Sequence, residues 1–399
     1  MHKKRFALLI SSGLLLFAAS ALHAQKGMPA KEIVNVTAGT NYPQQEDFKE
    51  SMLSRLKVPD SFKVSIAATG LGKPRMMAVA PDGALYVTRR DQGDVLMLRD
   101  RDGDGRMEEL RTVVAQFPGV HGIAMHDGYI YLISNRELKR GKMNADGSVG
   151  KLDTLITDLP DAGQHPNRTI YFGPDEKLYI TVGSTCNDCD DANQENATIL
   201  QVQPGTWKRK IYARGLRNTI GIDWNPQTGA LWGADHGRDW LGDDFPPEEL
   251  NQIKDSADYG FPLIYANRVV DQSREDPIGT TKEEYAKHTE VPGLTFPAHS
   301  APMQFLFLSK AKGWPTAYTN DALLTMHGSW NRTKPDGFNV LRVKFQNGQP
   351  AGYEDFLTGF FNPEARTRFG RPCGLTIAPT GAVYVSDDAN GVIYSITPK

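Results

Sequence analysis

Residues 163–190 read Gly163-Gln-His165-Pro-Asn-Arg168-Thr-Ile-Tyr-Phe-Gly173-Pro-Asp-Glu-Lys-Leu178-Tyr-Ile-Thr-Val182-Gly-Ser-Thr-Cys186-Asn-Asp-Cys189-Asp190. A polar cluster with His165 and Arg168 comes first. A β-hairpin is predicted next, with strands over residues 170–172 and 178–182 and a Gly-Pro-Asp-Glu turn between them. A Cys-Xaa-Xaa-Cys loop ends the stretch. We interpret the hairpin as the repeating unit of the fold and the polar cluster as the place of the chemistry.

The hairpin recurs along the chain with a spacing of roughly 45–50 residues, which is typical of a propeller blade. One such sheet cannot bury both of its faces, so the sheets must stack around a common axis. Counting one degenerate copy, the pattern predicts an all-β, six-bladed β-propeller. The last copy is expected to pair with a strand near Phe62, which would close the ring and remove an open edge. The copies begin at Met77, Gly122, Thr169, Gly221, Met303 (the degenerate copy) and Gly374.

The chain divides into three predicted regions. Residues 1–24 are typical of a signal peptide, because Lys3, Lys4 and Arg5 precede an apolar run and small residues. The run is short for a membrane span, so we expect a periplasmic or secreted protein without stable membrane insertion, with an uncleaved anchor as the alternative. Residues 25–61 form an N-terminal extension in which residues 42–61 show no clear strand. Residues 62–399 form the propeller domain.

Residues 241–297 break the rhythm of the repeat. We interpret them as a long inserted loop region between blades four and five, on the face where binding loops lie, with simple decoration as the alternative. Within the insertion, residues 281–288 have a helical pattern.

Charge and cysteine content exclude some classes of protein. The formal net charge is -2, which argues against a nucleic-acid partner. Three cysteines in an exported chain allow one disulfide and one free thiol. Cys186 and Cys189 are the expected pair; a reduced pair or a metal knuckle remains the alternative.

Polar residues recur just before the first, innermost strand of several repeats. Because equivalent positions of radially arranged blades converge at one end of the central channel, these side chains should meet there. The sequence therefore predicts a funnel of imidazoles and guanidiniums that suits an anionic, planar or polyhydroxylated ligand. The residues are His121, His165, Arg168, Arg217, Asn218 and Arg371.

Two acidic segments are candidate calcium sites. The first, residues 235–239, reads Asp-His-Gly-Arg-Asp, and its loop oxygens suit Ca²⁺, with solvated charge as the alternative. The second contains Asp100, Asp102 and Asp104, which match the opening of a calcium loop. Its twelfth position is Arg111 rather than Glu, so it is not an EF-hand. A structural calcium and a metal-free Asp-Gly turn both remain open.

Together these motifs resemble the glucose/sorbosone dehydrogenase family, which comprises six-bladed propellers that use pyrroloquinoline quinone (PQQ) and Ca²⁺. The resemblance covers the chain from about Phe62 to the end and is closer to the sorbosone branch. The motifs that carry it are His165-Pro-Asn-Arg-Thr-Ile, Ala213-Arg-Gly-Leu-Arg217-Asn218, Leu231-Trp-Gly-Ala-Asp-His-Gly237, Ala298-His-Ser-Ala-Pro302, His327-Gly-Ser-Trp-Asn-Arg332 and Gly370-Arg371-Pro.

The resemblance implies a role for each matched position. His165 corresponds to the general base that takes a proton from the sugar while hydride moves to the quinone. Arg217 and Asn218 correspond to residues that hold the quinone and polarise its accepting carbonyl. Gly237 and Arg238 correspond to the backbone carbonyls that bind the catalytic Ca²⁺. The remaining expected quinone contacts are Arg371, His299 and Arg332, with His121 and Arg168 added from the channel argument.

Three positions depart from the family pattern. Ser184 stands where glucose-type members have an aspartate, so the carboxylate that orients His165 is either missing or supplied by Asp188, Asp190 or Asp191. Thr169 stands where an arginine is expected, with Arg168 one residue earlier. Cys373 aligns with the second arginine of the quinone clamp.

The sequence thus predicts an exported, PQQ- and Ca²⁺-dependent dehydrogenase of an aldose or sugar aldehyde. A cytochrome or a membrane quinone would be its electron acceptor. The alternatives are a non-catalytic carbohydrate-binding propeller and a Ca²⁺-dependent propeller lactonase. The lactonase would need an axial metal held by inward carboxylates and Asn, and no such set is evident in the repeats.

Overall fold

The computed structural model describes residues 38–161 and 163–399. The predicted signal peptide, residues 1–24, lies outside the described residues. Within them the regular structure is nearly all β, with one short α-helix, α1, at Lys282–Ala286. None of the helices in these ranges is long and apolar enough to cross a bilayer. The first elements are β1 (Gln44–Gln45), a 3-10 helix (Glu50–Arg55) and β2 (Phe62–Ala68).

The next eight strands form two antiparallel sheets of four. Sheet A has the order β3-β4-β5-β6 and sheet B the order β7-β8-β9-β10. Their bounds are β3 (Met77–Val79), β4 (Leu85–Arg89), β5 (Asp94–Arg99), β6 (Glu109–Val114), β7 (Gly122–His126), β8 (Tyr129–Ile133), β9 (Leu138–Lys142) and β10 (Asp153–Ile156).

Sheets C and D follow. Sheet C has the order β11-β12-β13-β14-β18, and sheet D the order β15-β16-β17-β21. The predicted hairpin is confirmed, because β11 and β12 pair in antiparallel register with Ile170 opposite Ile180. The bounds are β11 (Ile170–Phe172), β12 (Leu178–Val182), β13 (Thr198–Val202), β14 (Arg209–Arg214), β15 (Thr219–Trp224), β16 (Leu231–Asp235), β17 (Glu248–Ile253), β18 (Ala257–Asp258), β19 (Ile264–Tyr265), β20 (Val269–Val270) and β21 (Leu294–Phe296).

Sheets E and F complete the fold. Sheet E has the order β22-β23-β24-β25, and sheet F the order β28-β29-β30-β2. Short 3-10 helices lie at Leu308–Lys310 and Thr316–Tyr318. The strand bounds are β22 (Pro302–Phe307), β23 (Ala322–Met326), β24 (Asn339–Gln346), β25 (Gln349–Leu357), β26 (Phe361–Asn362), β27 (Thr367–Arg368), β28 (Pro372–Ile377), β29 (Val383–Asp387) and β30 (Val392–Pro398).

The first strands of the sheets meet around a common axis. β3 contacts β7, β7 contacts β11, β15 contacts β22, β22 contacts β28, and β28 returns to β3, while β12 touches β15. This is the radial arrangement of a β-propeller. The predicted closure is also confirmed, because β2 pairs with β30 and places Phe62 opposite Pro398.

Apolar side chains fill the space between neighbouring sheets. Between sheets D and E, the buried Trp232, Phe305 and Leu324 belong to one cluster. Between E and F, the ring of Phe62 lies 4.5 Å from that of Trp314. Full burial of each such side chain contributes roughly 1.5–3 kcal/mol, so the sheet interfaces hold the ring together.

The described part of the N-terminal extension, residues 38–61, contains more regular structure than its sequence indicates. β1 pairs in parallel with β27, and Phe48, Met52 and Leu53 pack on the core between sheets E and F. A two-residue strand has no local pattern that could reveal it. Its position depends on a partner more than 300 residues away in the sequence.

The predicted insertion at residues 241–297 is too long. Its parts β17 and β21 are the third and fourth strands of sheet D, so the sheet is interrupted only between them. Because β17 begins with the charged pair Glu248 and Glu249, the sequence pattern does not indicate a strand there. The predicted helix is confirmed as α1, whose N-cap Thr281 accepts a hydrogen bond from the backbone N–H of Glu284.

Candidate active site

A polar cavity of about 360 Å³ is lined mainly by residues just before the first strand or just after the second strand of sheets A, C, E and F. Its lining is dominated by cations, with five Lys or Arg side chains against two carboxylates in the described chain. Such an excess suits an anionic ligand. The lining residues are Gln45, Lys73, Arg75, Arg90, Asp91, Asn167, His327, Arg368, Arg371, Asp388 and Ala389.

One wall of the cavity is a charged network from sheets A, E and F. Arg75 forms an ion pair with Asp388, whose other oxygen accepts a hydrogen bond from His327 Nε2 at 2.8 Å. Burial would raise the pKa of Asp388, but His327 and Arg75 hold it well below its usual range. The Arg75 guanidinium also reaches Nε2 of the fully buried His121 at 3.3 Å. His121 therefore lies behind the wall, where it supports Arg75 and does not itself line the cavity.

Arg371 lines the same cavity as a cation short of counter-charge. Its Nε and Nη2 donate to the backbone carbonyls of His327 and Gly328 at 3.0 and 3.2 Å. Burial lowers the pKa of Arg371 to about 10, with Asp388 opposing this shift and the neighbouring Arg368 and Arg75 adding to it. Arg371 stays charged at neutral pH, and a bound anion would stabilise it.

The imidazole of His165 is fixed through one nitrogen. Nδ1 lies 2.7 Å from the carbonyl oxygen of Ser184 and 3.0 Å from its hydroxyl. A carbonyl can only accept a hydrogen bond, so Nδ1 carries the proton and Nε2 keeps its lone pair. Burial, together with the nearby charge of Arg217, lowers the pKa of His165 to about 3. His165 is therefore a neutral, oriented proton acceptor.

None of the three expected carboxylates orients His165 in the described chain. Asp188 pairs with Arg238 at 2.6 Å and with Arg274 at 3.1 Å. Asp190 pairs with Arg274 at 2.6 Å. Asp191 accepts the backbone N–H of Thr185 at 2.9 Å. Of the two alternatives, the contacts favour a missing carboxylate, because Ser184 itself holds the ring.

Arg217 is held by the disulfide loop. Its Nε donates to the carbonyl of Asn187 at 2.9 Å, and its Nη2 donates to Asn187 Oδ1 at 2.9 Å and to Asp239 at 3.3 Å. Asn187 lies between Cys186 and Cys189, which form the predicted disulfide. The carbonyl of Arg217 also accepts the backbone N–H of Ser184 at 2.8 Å. The loop therefore fixes His165 and Arg217 relative to each other.

Asn218 lies beside His165. A Cβ added at Gly183 would lie 2.6 Å from Cβ of His165 and 2.9 Å from Asn218 Oδ1, so only glycine fits between them. The buried carboxylate of Asp235 fixes the backbone here by accepting the N–H groups of Arg217 and Asn218, each at 2.9 Å. Within the described chain, Oδ1 of Asn218 has no hydrogen-bond partner, which leaves it for a ligand.

Asn167 connects the segment of His165 with the cavity. It lies two residues after His165 and lines the cavity together with Arg75, His327 and Arg371. His236 donates from Nε2 to the carbonyl of Pro302 at 2.6 Å, and burial together with the charge of Arg217 lowers its pKa to about 3. The segment that carries His165 therefore borders the cavity.

His299 and Arg332 lie at the edge of this site. His299 donates from Nε2 to the carbonyl of Gly242 at 2.7 Å, while its Nδ1 lies 3.8 Å from Asp239. Nδ1 is without a hydrogen bond among the described residues. Arg332 contacts the carbonyl of Asp243 at 2.8 Å and Asp244 at 2.7 Å. These two residues brace the loop after Asp239.

Arg168 and Thr169 are tied to the protein interior. Arg168 is fully buried, and it donates to the carbonyls of Asn135 and Pro160 at 3.0 and 2.8 Å. Thr169 donates from its hydroxyl to the carbonyl of Ile220 at 2.5 Å. In these positions both support the strand that follows His165.

A buried carboxylate anchors the backbone of the Gly237–Arg238 loop. The buried Glu248 accepts the backbone N–H of Gly237 at 2.7 Å and that of Ala301 at 3.0 Å. The side chain of Arg238 pairs with Asp188 and Asp271. Its guanidinium is therefore occupied elsewhere, and only the backbone of the loop is left for a metal.

Asp100, Asp102 and Asp104 come together with Glu108, which the sequence analysis missed. Their oxygens lie within 4.8 Å of one another. The group lies between β5 and β6, the third and fourth strands of sheet A, away from the first strands around the axis. A cation bound here would be structural and would not reach the cavity.

Arg75, Asn187 and Asp388 are site residues that the sequence analysis did not name. Arg75 lies two residues before β3, the same repeat position that singled out His121, Arg217 and Arg371, so that rule could have found it. The backbone of Arg75 also approaches the segment of Cys373, because a Cβ added at the next residue, Gly374, would clash with the carbonyl oxygen of Arg75.

Known proteins resemble this chain over most of its length. A family model described as TrAA12-like matches residues 56–399. A Hypocrea jecorina pyrroloquinoline quinone-dependent sugar dehydrogenase is 25% identical over 397 residues, covering 84% of this chain and 87% of that protein. A Borreliella burgdorferi relative of unassigned activity is 26% identical over 372 residues, covering 87% of this chain and 92% of its own.

Among solved structures, the calcium structure of the Trichoderma reesei Carbohydrate-Active Enzymes Family AA12 protein has a similar fold. Its TM-score is 0.75 at 22% identity, with 90% of this chain and 98% of that chain covered. Similarity at this identity supports the β-propeller fold.

Proposed function

The chain belongs to the TrAA12-like family, and we propose that it is an exported dehydrogenase that uses PQQ and calcium to oxidise an aldose or related sugar aldehyde. The observation that carries this proposal is the neutral His165, held at Nδ1 by Ser184 beside Arg217 and Asn218. A proton acceptor so placed, next to a cationic cavity, is what removal of hydrogen from a sugar hydroxyl requires.

The residues present fit the cofactor. PQQ is a planar quinone with three carboxylates, and the cavity of about 360 Å³ is within the usual range for small-molecule sites, about 300–1,000 Å³. Arg371 and Arg75 would hold carboxylates, and the unpartnered Oδ1 of Asn218 would accept a hydrogen bond. When bound, PQQ supplies the two-electron acceptor of the reaction.

The chain itself supplies orientation and proton transfer. His165 would take the hydroxyl proton of the sugar at Nε2, and loss of that O–H proton favours departure of hydride from the carbon that bears the oxygen, so that a carbonyl forms. Arg217 places positive charge beside the reacting atoms, where negative charge develops. Asn187 and Ser184 hold these two side chains in register through the disulfide loop. His299 and Arg332 support the outer edge.

We place calcium at two loops. The backbone carbonyls of Gly237 and Arg238 would bind the catalytic ion, since carbonyl oxygens are suitable Ca²⁺ ligands. The second loop, Asp100, Asp102, Asp104 and Glu108, would bind a structural ion. The anchoring of Gly237 by Glu248 at 2.7 Å supports the first assignment, because a fixed backbone can present its carbonyl.

The finer architecture is also part of the proposal. Sheets A to F would be six blades over residues 62–399, with the region between β17 and β21 as the insertion between blades four and five. Residues 1–24 would direct export to the periplasm or the medium, and residues 25–61 would be an extension. A cytochrome or membrane quinone would accept the electrons, and sorbosone-like sugars are candidate substrates.

Neither alternative function gains support from the site. A lactonase would need an axial metal held by side-chain carboxylates. In the described ranges, the acidic side chains close enough to share an ion are those between β5 and β6. A non-catalytic binding propeller does not account for a proton acceptor with a fixed tautomer.

The proposal is tested by reconstitution. The purified mature protein receives PQQ and Ca²⁺, each also omitted in turn, and reduction of an artificial dye is followed across aldoses, osones and alcohols. We expect reduction that needs PQQ and Ca²⁺ and stops on chelation. Reduction independent of PQQ, or no reduction with PQQ bound, would contradict the proposal.

A further inference from the structure

An exposed aromatic cluster lies beside the candidate site. Tyr42 is 72% exposed and Trp240 is 49% exposed. Tyr42 stacks on Trp330 with 5.8 Å between ring centres and 15° between planes, and Trp240 meets Trp330 edge-on at 5.2 Å. Large aromatic side chains normally bury most of their area, so a cluster of them on the surface indicates a binding site.

The cluster is held by buried polar contacts. Asn331 is fully buried; its Oδ1 accepts the backbone N–H of Trp240 at 2.7 Å, and its Nδ2 donates to the carbonyl of Gly39 at 3.0 Å. The backbone N–H of Asn41 donates to the carbonyl of Trp330 at 2.8 Å. One side chain therefore ties together the two segments and the N-terminal extension that present the rings.

Trp240 is kept exposed at a conformational cost. Its φ is 75°, in the left-handed region that bulky residues avoid. Backbone of this kind persists where the surrounding contacts impose it and is concentrated at functional sites. The hydrogen bond from Asn331 is such a contact.

The cluster continues the candidate site outward. Asp239, the residue before Trp240, contacts Arg217 at 3.3 Å and faces His299 at 3.8 Å. Arg217 is 4% exposed, so exposure rises steeply from the reacting groups to the aromatic rings. Gln45, three residues after Tyr42, lines the cavity. A sugar unit that contacts these rings would therefore lie nearer the solvent than the sugar unit that reaches His165.

We propose that Tyr42, Trp240 and Trp330 form a platform for the pyranose ring of a saccharide, one unit outward from the unit that is oxidised. The apolar C–H face of a pyranose matches an aromatic face, and Gln45 and Asn41 can meet its hydroxyls. This proposal rests on the proposed function, because it takes the sugar unit at His165 to be the unit that is oxidised. Tyr42 precedes residue 56, where the family match begins, so this ring comes from the chain's own extension.

Two variants test the platform. Tyr42→Ala removes an exposed ring, and Trp240→Gly removes the other exposed ring at a backbone position that glycine adopts more easily. Trp240→Gly should therefore be folded and at least as stable as the wild type. Tyr353→Ala is the control, since Tyr353 is 40% exposed and packs on Phe296 in another part of the surface.

The readouts are KM and kcat with glucose, cellotriose and maltotriose, and quenching of tryptophan fluorescence by the same sugars without dye. Loss of one ring should raise the KM and the dissociation constant of at least one trisaccharide roughly 3- to 10-fold, judging from the strength of aromatic contacts. The values for glucose and every kcat should stay within about twofold, and Tyr353→Ala should behave as the wild type.

The outcomes separate the two proposals. Trisaccharide binding that the variants lose, in a protein that oxidises no sugar, would support the platform and contradict the dehydrogenase. Active variants whose trisaccharide KM and binding equal those of the wild type would overturn the platform and leave the dehydrogenase intact. An equal weakening of glucose and trisaccharides would overturn the outward position.

Discussion

Asn187→Ala should uncouple the disulfide loop from Arg217, the arginine that we propose acts in catalysis. The substitution removes three side-chain hydrogen bonds: one to Nη2 of Arg217 at 2.9 Å, and two to the backbone of Asp239 at 2.8 and 3.2 Å. Arg217 would keep the backbone carbonyl at position 187 and the Asp239 carboxylate. The guanidinium would then be free to turn about those two contacts.

The size of the effect follows from these contacts. A hydrogen bond to a charged group contributes about 1.5–3 kcal/mol and a neutral one about 1 kcal/mol, and incomplete loss on relaxation reduces their sum to about 2–4 kcal/mol. A small displacement of a catalytic group costs on the order of 100-fold in rate. We therefore expect kcat to fall about 100-fold and the KM for the sugar to change little.

The assay is dye reduction at saturating PQQ and Ca²⁺, together with urea unfolding of the same samples. Gln194→Ala is the control, because Gln194 is an exposed residue seven positions further along. A kcat within twofold of the wild type in Asn187→Ala, with stability reduced as expected, would refute the positioning role and leave Asn187 a structural residue only.

Three further predictions concern single features of the site. His165→Gln should lower kcat by roughly 10²- to 10⁴-fold while PQQ affinity, measured by calorimetry, stays within twofold; normal turnover would reject His165 as the base. Replacing both Cys186 and Cys189 by serine should lower the unfolding free energy by about 2 kcal/mol and also lower kcat; full activity would show that the closed loop is dispensable. Asp387→Asn should remove a decline in stability between about pH 4 and pH 7, measured by urea unfolding; parallel pH profiles would contradict this.

The sign of the Asp387 effect follows from its burial. Burial raises the pKa of Asp387 from 3.8 to about 7, so the folded state binds a proton more tightly than the unfolded state. The unfolding free energy therefore falls as pH rises through this window and levels off above pH 7. Between about pH 4 and pH 7, the difference in unfolding free energy between the wild type and Asp387→Asn should change by at most about 4 kcal/mol.

The repeat made much of the fold predictable from the sequence. Each copy contains a hairpin whose local pattern is clear, as with residues 170–172 and 178–182, and the closure by β2 follows from the need to pair β30. β1 and β17 could not be predicted in this way. β1 is two residues long and depends on a distant partner, and β17 begins with two glutamates that only its buried setting explains.

The site was predictable where residues follow the repeat position, as for His165 and Arg217. The support of His165 by Ser184 was not, because the contact is made by a backbone carbonyl that every residue has. The contact of Asn187 with Arg217 could not be predicted, because it depends on the shape of the disulfide loop. The contribution of the N-terminal extension to the proposed saccharide platform is evident only in the structure, where Tyr42 stacks on Trp330.

The central claim is that the cationic cavity binds PQQ, and calorimetric titration with PQQ in the presence of Ca²⁺ tests it most directly. The account predicts binding of one PQQ per chain, weakened at least 10-fold in Arg371→Ala, because a charge-assisted contact is lost, and unchanged in the surface variant Tyr353→Ala. Absence of saturable binding to the wild type, or equal affinity in Arg371→Ala, would contradict the account.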